Sequence, residues 1–284
     1  MNKFKLWFRI TRPGTLAATF SPVFIGLLIA AGHTSLKWDI ALVTLIGGLS
    51  IQIISNFVND YFDFRKGLDK AGRVGPKRAI AEGEVTEKQM FKAIVIATSV
   101  AVLCGLFLIF KGGWPILLIG VLSLLFAWLY TATSKSLSYL GIADIFVLFF
   151  FGPVATVGTT YLQTQSFIPE SFWFGLVCGL ISTCVLVTNN VRDYDTDKLA
   201  GKRSLPVRFG KRFGETEYLM AILLIVPALF LGHSNWLPYL IVLPGLILFG
   251  KLRKAQGAQY NQILVNTGKL NLLFALLCAL SRWI

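Results

Sequence analysis

Charge is what this sequence has least of. Only 14% of its 284 residues are Asp, Glu, Lys or Arg, while 55% are hydrophobic; an ordinary water-soluble domain carries about 25% charged residues. That shortage excludes an ordinary soluble enzyme, a disordered chain and a fibrous repeat. Cysteine and histidine are scarce as well, at four and two residues. Cys104, Cys178, Cys184 and Cys278 lie inside apolar segments with no CxxC spacing, which gives neither a zinc pattern nor a disulfide framework, so they read as packing residues. His33 and His233 read as loop residues on the side of the membrane opposite the acidic motifs described below. Acidic residues number 14 against 27 basic ones, a net charge of +13. Basic residues confined to loops between apolar spans reflect topology and anionic lipid rather than a nucleic-acid partner, and no nucleic acid is expected.

What is present in quantity is apolar sequence in long runs. They centre on residues 16–32, 40–59, 91–110, 114–131, 140–161, 171–190, 217–232, 236–250 and 263–283. A bilayer core of about 30 Å needs roughly 20 mostly apolar residues per helix, so the expectation is an all-α, polytopic membrane protein with nine transmembrane helices bundled around a central cavity. Residues 1–284 read as one transmembrane domain, with no room for a soluble one. The amino end is basic and its apolar stretch lacks a clear small-residue cleavage site, so a removable signal peptide is not expected. With nine spans, all of the 27 basic residues except Lys37, Lys111 and Arg282 fall on the same side as the amino end. Lys and Arg accumulate in short cytoplasmic loops, which places the amino end and those loops in the cytoplasm, the protein being multi-pass in the inner (plasma) membrane.

Six of the 14 acidic residues gather in two places where an apolar span meets a basic loop: Asp60, Asp63 and Asp69, then Asp193, Asp195 and Asp197. In the first segment Asn56, Asn59, Asp60 and Asp63 fall at i, i+3, i+4 and i+7, one helix face. Gln52 and Ser55 extend that polar stripe into the span, where a polar group is costly unless it faces a cavity or a partner. In the second, Asn189, Asn190, Asp193 and Asp197 stack at helical spacing, and Asp195 points elsewhere. The second and sixth spans point the same way, so both acidic ends meet the same membrane face.

Hard divalent cations take oxygen ligands, and Mg²⁺ is usually held by one or two carboxylates with waters and substrate phosphates. Two converging Asp faces backed by Arg78 and the other loop cations suit a Mg²⁺-bridged diphosphate. The plain alternative is that the aspartates cap helix ends and pair with loop Lys and Arg. An EF-hand at Asp193 would need Gly at its sixth position and Glu at its twelfth; Lys198 and Ser204 stand there, and the calcium loop is rejected.

These two segments resemble the UbiA-type superfamily of intramembrane prenyltransferases, with its NDxxDxxxD-like signature after the second helix and DxxxD signature after the sixth. Asn59, Asp60 and Asp63 match the first; Asp193 and Asp197 match the second. Gly67 occupies the place of the last Asp of the first signature, with Asp69 two residues on. The run Asp63-Phe64-Arg65-Lys66-Gly67-Leu68-Asp69 is similar to the branch that prenylates 1,4-dihydroxy-2-naphthoate. Arg12-Pro13-Gly14-Thr15-Leu16, Arg73-Val74-Gly75-Pro76-Lys77-Arg78 and Phe151-Gly152-Pro153-Val154-Ala155 also resemble that branch. Departures are Ala132-Thr133 in place of two glycines after Tyr130-Thr131, and Asp144 where Glu is more usual.

The resemblance implies Mg²⁺-dependent transfer of a polyprenyl group from an allylic diphosphate to 1,4-dihydroxy-2-naphthoate, with loss of CO₂ and pyrophosphate, giving demethylmenaquinone. Asp60, Asp63, Asp193 and Asp197 are then the catalytic metal ligands, with Asp69 a further candidate. Asn56, Asn59 and Asn190 orient them or touch the diphosphate, and Arg78 and Lys135 are its cations. The partners are the polyprenyl diphosphate, the naphthoate and the lipid bilayer. Two rivals stand beside this reading: prenylation of another aromatic acid such as 4-hydroxybenzoate, and an ion-coupled secondary transporter built on the same polar faces.

Overall fold

The computed structural model describes residues 2–67, 75, 78–129 and 141–283, and among them every regular element is helical. A short amphipathic helix, α1 (Lys3–Ile10), opens the chain, its first turn capped by Asn2 Oδ1 accepting from the Phe4 N–H at 3.1 Å. Trp7 and Ile10 turn inward, Trp7 edge-on to Phe57, whereas Phe4 and Phe8 stay exposed. Arg12 adopts a left-handed conformation (φ 54°, ψ 69°) and Pro13 begins α2 (Pro13–Ala31). Proline suits that first helical position because the N–H it lacks has no intrahelical partner there.

The next helix, α3 (Trp38–Arg65), has 28 residues. At about 1.5 Å per residue it spans roughly 42 Å, more than the hydrocarbon core, so one end projects beyond it and carries the first acidic motif. The 43-residue α4 (Glu87–Leu129) is broken at Gly113, whose φ of 67° and ψ of −154° are open to glycine. Its two limbs fold back on each other: Leu108 and Ile116 share one apolar cluster, Ala101 and Ala127 another. In α5 (Ala143–Thr164) a π-turn over Phe150–Val154, containing Gly152 and Pro153, interrupts the helix. The most buried helix is α6 (Pro169–Arg192), followed by the short α7 (Tyr194–Leu199) and α8 (Leu205–Phe209). The chain then runs through α9 (Lys211–Leu231), α10 (Leu237–Leu252) and α11 (Gln259–Ser281).

Seven of these helices, α2 to α6, α9 and α11, are long and apolar enough to cross a membrane, against nine spans expected. Two features make the difference. The expected spans 91–110 and 114–131 are the limbs of the single broken α4, and the expected span 236–250 is α10, five residues of 3-10 helix followed by eleven of α-helix.

The break in α5 is seated on small residues of α6. A Cβ on Gly179 would lie 2.0 Å from the Leu148 carbonyl oxygen, and one on Gly175 would lie 2.8 Å from Pro153 Cα. The two backbones touch, as small-xxx-small pairs permit. Gly179→Val is therefore expected to cost roughly 1–3 kcal/mol by overpacking, read as a lower thermal midpoint of the detergent-solubilised protein, whereas Gly105→Ala, where a Cβ meets nothing within 4 Å, raises the midpoint, alanine being the better helix former by about 1 kcal/mol.

Candidate active site

The polar stripe of α3 is buried, with Gln52, Asn56, Asp60 and Asp63 each below 8% exposure. Asn56 Nδ2 donates to the Thr11 carbonyl oxygen and to Thr15 Oγ1, both at 3.0 Å. Its amide thus fastens the α1–α2 connection to α3 and is an anchor for that connection. Beyond it Asp60 pairs with both Arg12 and Arg78, and Arg78 Nη2 also reaches Asp63 Oδ2 at 3.2 Å. Arg78 is itself buried, and with Arg12 it sets two guanidinium charges against the two carboxylates withdrawn from water. Asn59 is half-buried one residue before Asp60.

At the second motif, α6 ends at Asp193 (φ −91°, ψ 10°) and the chain resumes as α7. The helical register survives the break, because the Asp197 N–H donates to the Asp193 carbonyl oxygen at 2.7 Å. Arg192 forks onto Asp193, Nε to Oδ1 at 2.8 Å and Nη2 to Oδ2 at 2.7 Å, and also donates to Asn189 and to Asn261 of α11. Asp197 is buried and pairs with Lys202 at 3.2 Å. Asn190 is buried on the same helix end, and Asp195 turns outward to Lys211, 3.0 Å away.

The two acidic ends face each other. Burial holds the Asp197 carboxyl above the usual carboxylate range, with the charges of Asp193 and Asp63 adding to the rise and Lys202 opposing it. Asp63 belongs to α3, so its charge reaches across the site. From the other direction, burial lowers Lys66, Asp63 opposes that shift and Lys202 adds to it. The helices α3 and α6 do not pack together extensively; α2 packs against both. The two acidic ends thus lie within electrostatic reach of each other without the helices packing together.

Among the described residues no three His, Cys, Asp or Glu side chains form a metal-binding cluster by themselves. The donor set instead fits a hard cation that shares its shell with phosphate and water: four buried carboxylates in two pairs, with Asp63 Oδ1 lacking any hydrogen-bond partner. Starting at Gln52 and Ser55, a cavity of about 400 Å³ runs between α2, α3, both limbs of α4 and α5. Phe126, Phe146 and Phe150 line it and contact one another, Phe126 and Phe146 with ring centroids 4.3 Å apart.

Of the site residues expected from sequence, Asp60, Asp63, Asn56 and Arg78 gather at the end of α3, and Asn190, Asp193 and Asp197 at the end of α6. Asp69 and Lys135 lie outside the described residues. Arg12 was missed as a site residue; its signal was a lone arginine directly before the proline that opens the first span. Asp144, the unusual acid of the fifth span, brings its carboxyl to that of Glu217 on α9.

Residues 19–264 match the UbiA prenyltransferase family. The 1,4-dihydroxy-2-naphthoate octaprenyltransferase of Escherichia coli (strain K12) is 34% identical over 301 residues, covering 100% of this chain and 98% of that protein. The protein of the same name in Mycobacterium tuberculosis is 33% identical, covering 98% of this chain and 97% of that one. Among solved structures, a UbiA homologue from Archaeoglobus fulgidus bound to DMAPP and Mg²⁺ superposes with a TM-score of 0.65 at 17% identity, over 98% of this chain and 99% of that one, a likeness of fold. An apolar helical bundle, two facing acidic helix ends and these relatives agree: the chain is a multi-pass membrane prenyltransferase and belongs to the UbiA family.

Proposed function

We propose that this protein transfers a polyprenyl group from an allylic diphosphate to 1,4-dihydroxy-2-naphthoate, releasing pyrophosphate and CO₂ and forming the demethylmenaquinone skeleton. The observation that carries the reading is the pair of buried acidic ends of α3 and α6, within electrostatic reach of each other and paired with buried arginines, beside an apolar cavity that begins at Gln52 and Ser55. The naphthoate acceptor is supported by full-length relatives bearing that name. The bundle is read as one domain of nine spans in the inner membrane, counting each limb of α4 and the short α10, with the amino end and the acidic motifs cytoplasmic.

Asp60, Asp63, Asp193 and Asp197 would hold Mg²⁺, and Asp69 stays a candidate beside them. When bound, the ion supplies Lewis acidity and a template for the diphosphate. The side chains do the rest. Arg12 and Arg78 present planar, fixed donors to phosphate oxygens as negative charge builds on the leaving group, with Lys135 assigned the same role. Asn56 works one step back, holding the connection that carries Arg12, while Asn59 and Asn190 orient the carboxylates. The apolar cavity keeps water from the allylic carbon, which would otherwise be captured by it. Ring faces of Phe126, Phe146 and Phe150 can stabilise a developing cation from the cavity wall.

Purified protein supplied with octaprenyl diphosphate, Mg²⁺ and carboxyl-labelled 1,4-dihydroxy-2-naphthoate is expected to release labelled CO₂ and form a prenylated naphthoquinol detectable by mass spectrometry. Chelation of divalent ions abolishes both. Product from 4-hydroxybenzoate with the carboxylate retained, and none from the naphthoate, would overturn the acceptor assignment. Solute uptake into sealed vesicles without covalent product would favour the transporter instead.

Asp63→Asn and Asp193→Asn are each expected to lower kcat/KM by about a hundredfold or more, the scale seen when one charge-stabilising group is lost, with the fold kept as judged by circular dichroism. Asp197→Asn separates stability from activity. Because its surroundings disfavour the charged carboxyl, the neutral amide should raise the thermal midpoint of the metal-free protein at neutral pH while turnover falls.

A further inference from the structure

The end of the bundle that carries the acidic motifs has a second concave feature. A groove of about 470 Å³ lies between the end of α3 and the start of α4, walled by Tyr61, Glu87, Lys88, Phe91, Lys92 and Val95. None of these residues lines the apolar cavity. Helical spacing builds the groove: Lys88, Phe91, Lys92 and Val95 fall at i, i+3, i+4 and i+7, one face of α4, and all four are exposed. Tyr61 closes it from α3, its ring 6.0 Å from that of Phe91, and the Arg65 guanidinium lies 5.7 Å from the centre of the same ring.

Charge in the groove is unbalanced. Glu87 is answered by Arg65 at 3.9 Å, but among the described residues neither Lys88 nor Lys92 has an acidic partner. Like charges at i and i+4 destabilise a helix, and an anion seated between the two lysines removes that repulsion. The rest of the groove identifies the anion. Past Lys92 the exposed residues of α4 are apolar, among them Val95, Ile96, Val102 and Leu103. Lys88 and Val95 stand about 10 Å apart along the helix axis, while the polar layer of each leaflet is about 5–8 Å thick. The groove therefore passes from headgroup level into hydrocarbon. A free phosphate would occupy only its lysine end.

We propose that this groove binds an anionic phospholipid, with the headgroup phosphate between Lys88 and Lys92 and an acyl chain along Tyr61, Phe91 and Val95. A zwitterionic lipid of the same shape brings no net charge, and Glu87 is already paired. The site stands independently of the prenyl-transfer reading. Tyr61 follows Asp60 in α3, so a lipid seated there braces the helix end that carries Asp60 and Asp63.

The test is native mass spectrometry of the purified, detergent-solubilised protein titrated with phosphatidylglycerol or phosphatidylcholine. Wild-type protein should hold its first phosphatidylglycerol more tightly than phosphatidylcholine. Lys88→Gln combined with Lys92→Gln should weaken that binding by about thirtyfold, each lysine beside an anionic lipid being worth roughly a factor of five, and Lys88→Arg with Lys92→Arg should retain it. Lys251→Gln with Lys254→Gln removes the same charge from exposed positions at the end of α10, outside the groove, and should leave the affinity unchanged. Equal affinity for the two lipids, no loss in the Lys88 and Lys92 pair, or an equal loss in both glutamine pairs overturns the proposal. Displacement of the lipid by an equimolar amount of inorganic phosphate also overturns it, since the site would then read phosphate alone. Should the glutamine pair fail to fold, phosphatidylglycerol with a photoreactive acyl chain decides on wild-type protein. Crosslinks concentrated on Phe91 and Val95 support the groove, and crosslinks spread evenly over the other lipid-facing helices overturn it.

Discussion

Carboxylates withdrawn from water together with their counter-charges are the constraint around which the bundle is organised. Removing an ion from water costs several kcal/mol, and the cost is recovered only where partners are close and well oriented. Here the partners come from three separate stretches of chain. Arg12 arrives from the connection before α2, Arg78 from beyond the end of α3, and Arg192 from the residue beside its own Asp193. All three are arginines, whose planar fork serves two oxygens at once and stays charged when buried. Asp197 is paired with the compact ammonium of Lys202, which opposes the rise that burial imposes on its carboxyl. Charge is thus balanced without an added ion, while Asp63 Oδ1 is left as an open acceptor.

Holding two charged helix ends face to face, yet apart, demands a rigid frame. The frame is α6, buried along most of its length, against which α5, α9 and α11 pack, with α2 bridging from α6 to α3. The π-turn and Gly152-Pro153 break in α5 would weaken an isolated helix, but in the bundle they let its backbone settle on Gly175 and Gly179. With α5 so close to α6 on one side, the space on its other side stays open toward both limbs of α4, and the cavity lies there. Tight packing at one interface and open volume at the next are consequences of the same glycines and the same break.

How much of this could be read beforehand follows from the kind of signal each feature leaves. The acidic faces were legible because a polar residue within an apolar run has few reasons to be there, and helical spacing alone puts Asn56, Asp60 and Asp63 on one face. The apolar helices were legible from their length, although their number depends on how a broken segment such as α4 is counted. Arg12 was not, since a single arginine at a span boundary looks the same whether it answers lipid headgroups or a buried Asp60. The use of Asn56 as an anchor was equally hidden: its partners are the Thr11 backbone and the Thr15 hydroxyl, more than forty positions away in the sequence. Glycine gave the weakest signal of all. Gly179 and Gly120 look alike in the sequence, yet one lies against a carbonyl and the other beside empty space.

The conformation of Arg12 ties these levels together. A non-glycine residue in the left-handed region costs on the order of 1–3 kcal/mol and persists only where its surroundings over-determine it. Those surroundings are identifiable. On one side α1 docks through Trp7 and Ile10 onto the cluster that contains Phe57 and Val58 of α3. On the other, Pro13 fixes the start of α2, and the Arg12 carbonyl accepts from the Thr15 N–H at 2.8 Å. Asn56 holds the intervening Thr11 carbonyl, and Asp60 receives the guanidinium. Relaxing Arg12 to an ordinary backbone conformation would have to undo the docking of α1, the Asn56 anchor or the ion pair itself. The strain therefore persists because it aims the only charged side chain of the α1–α2 connection at the carboxylate of the neighbouring helix, so that a local backbone cost is offset by a second counter-charge, beside that of Arg78, for the buried Asp60.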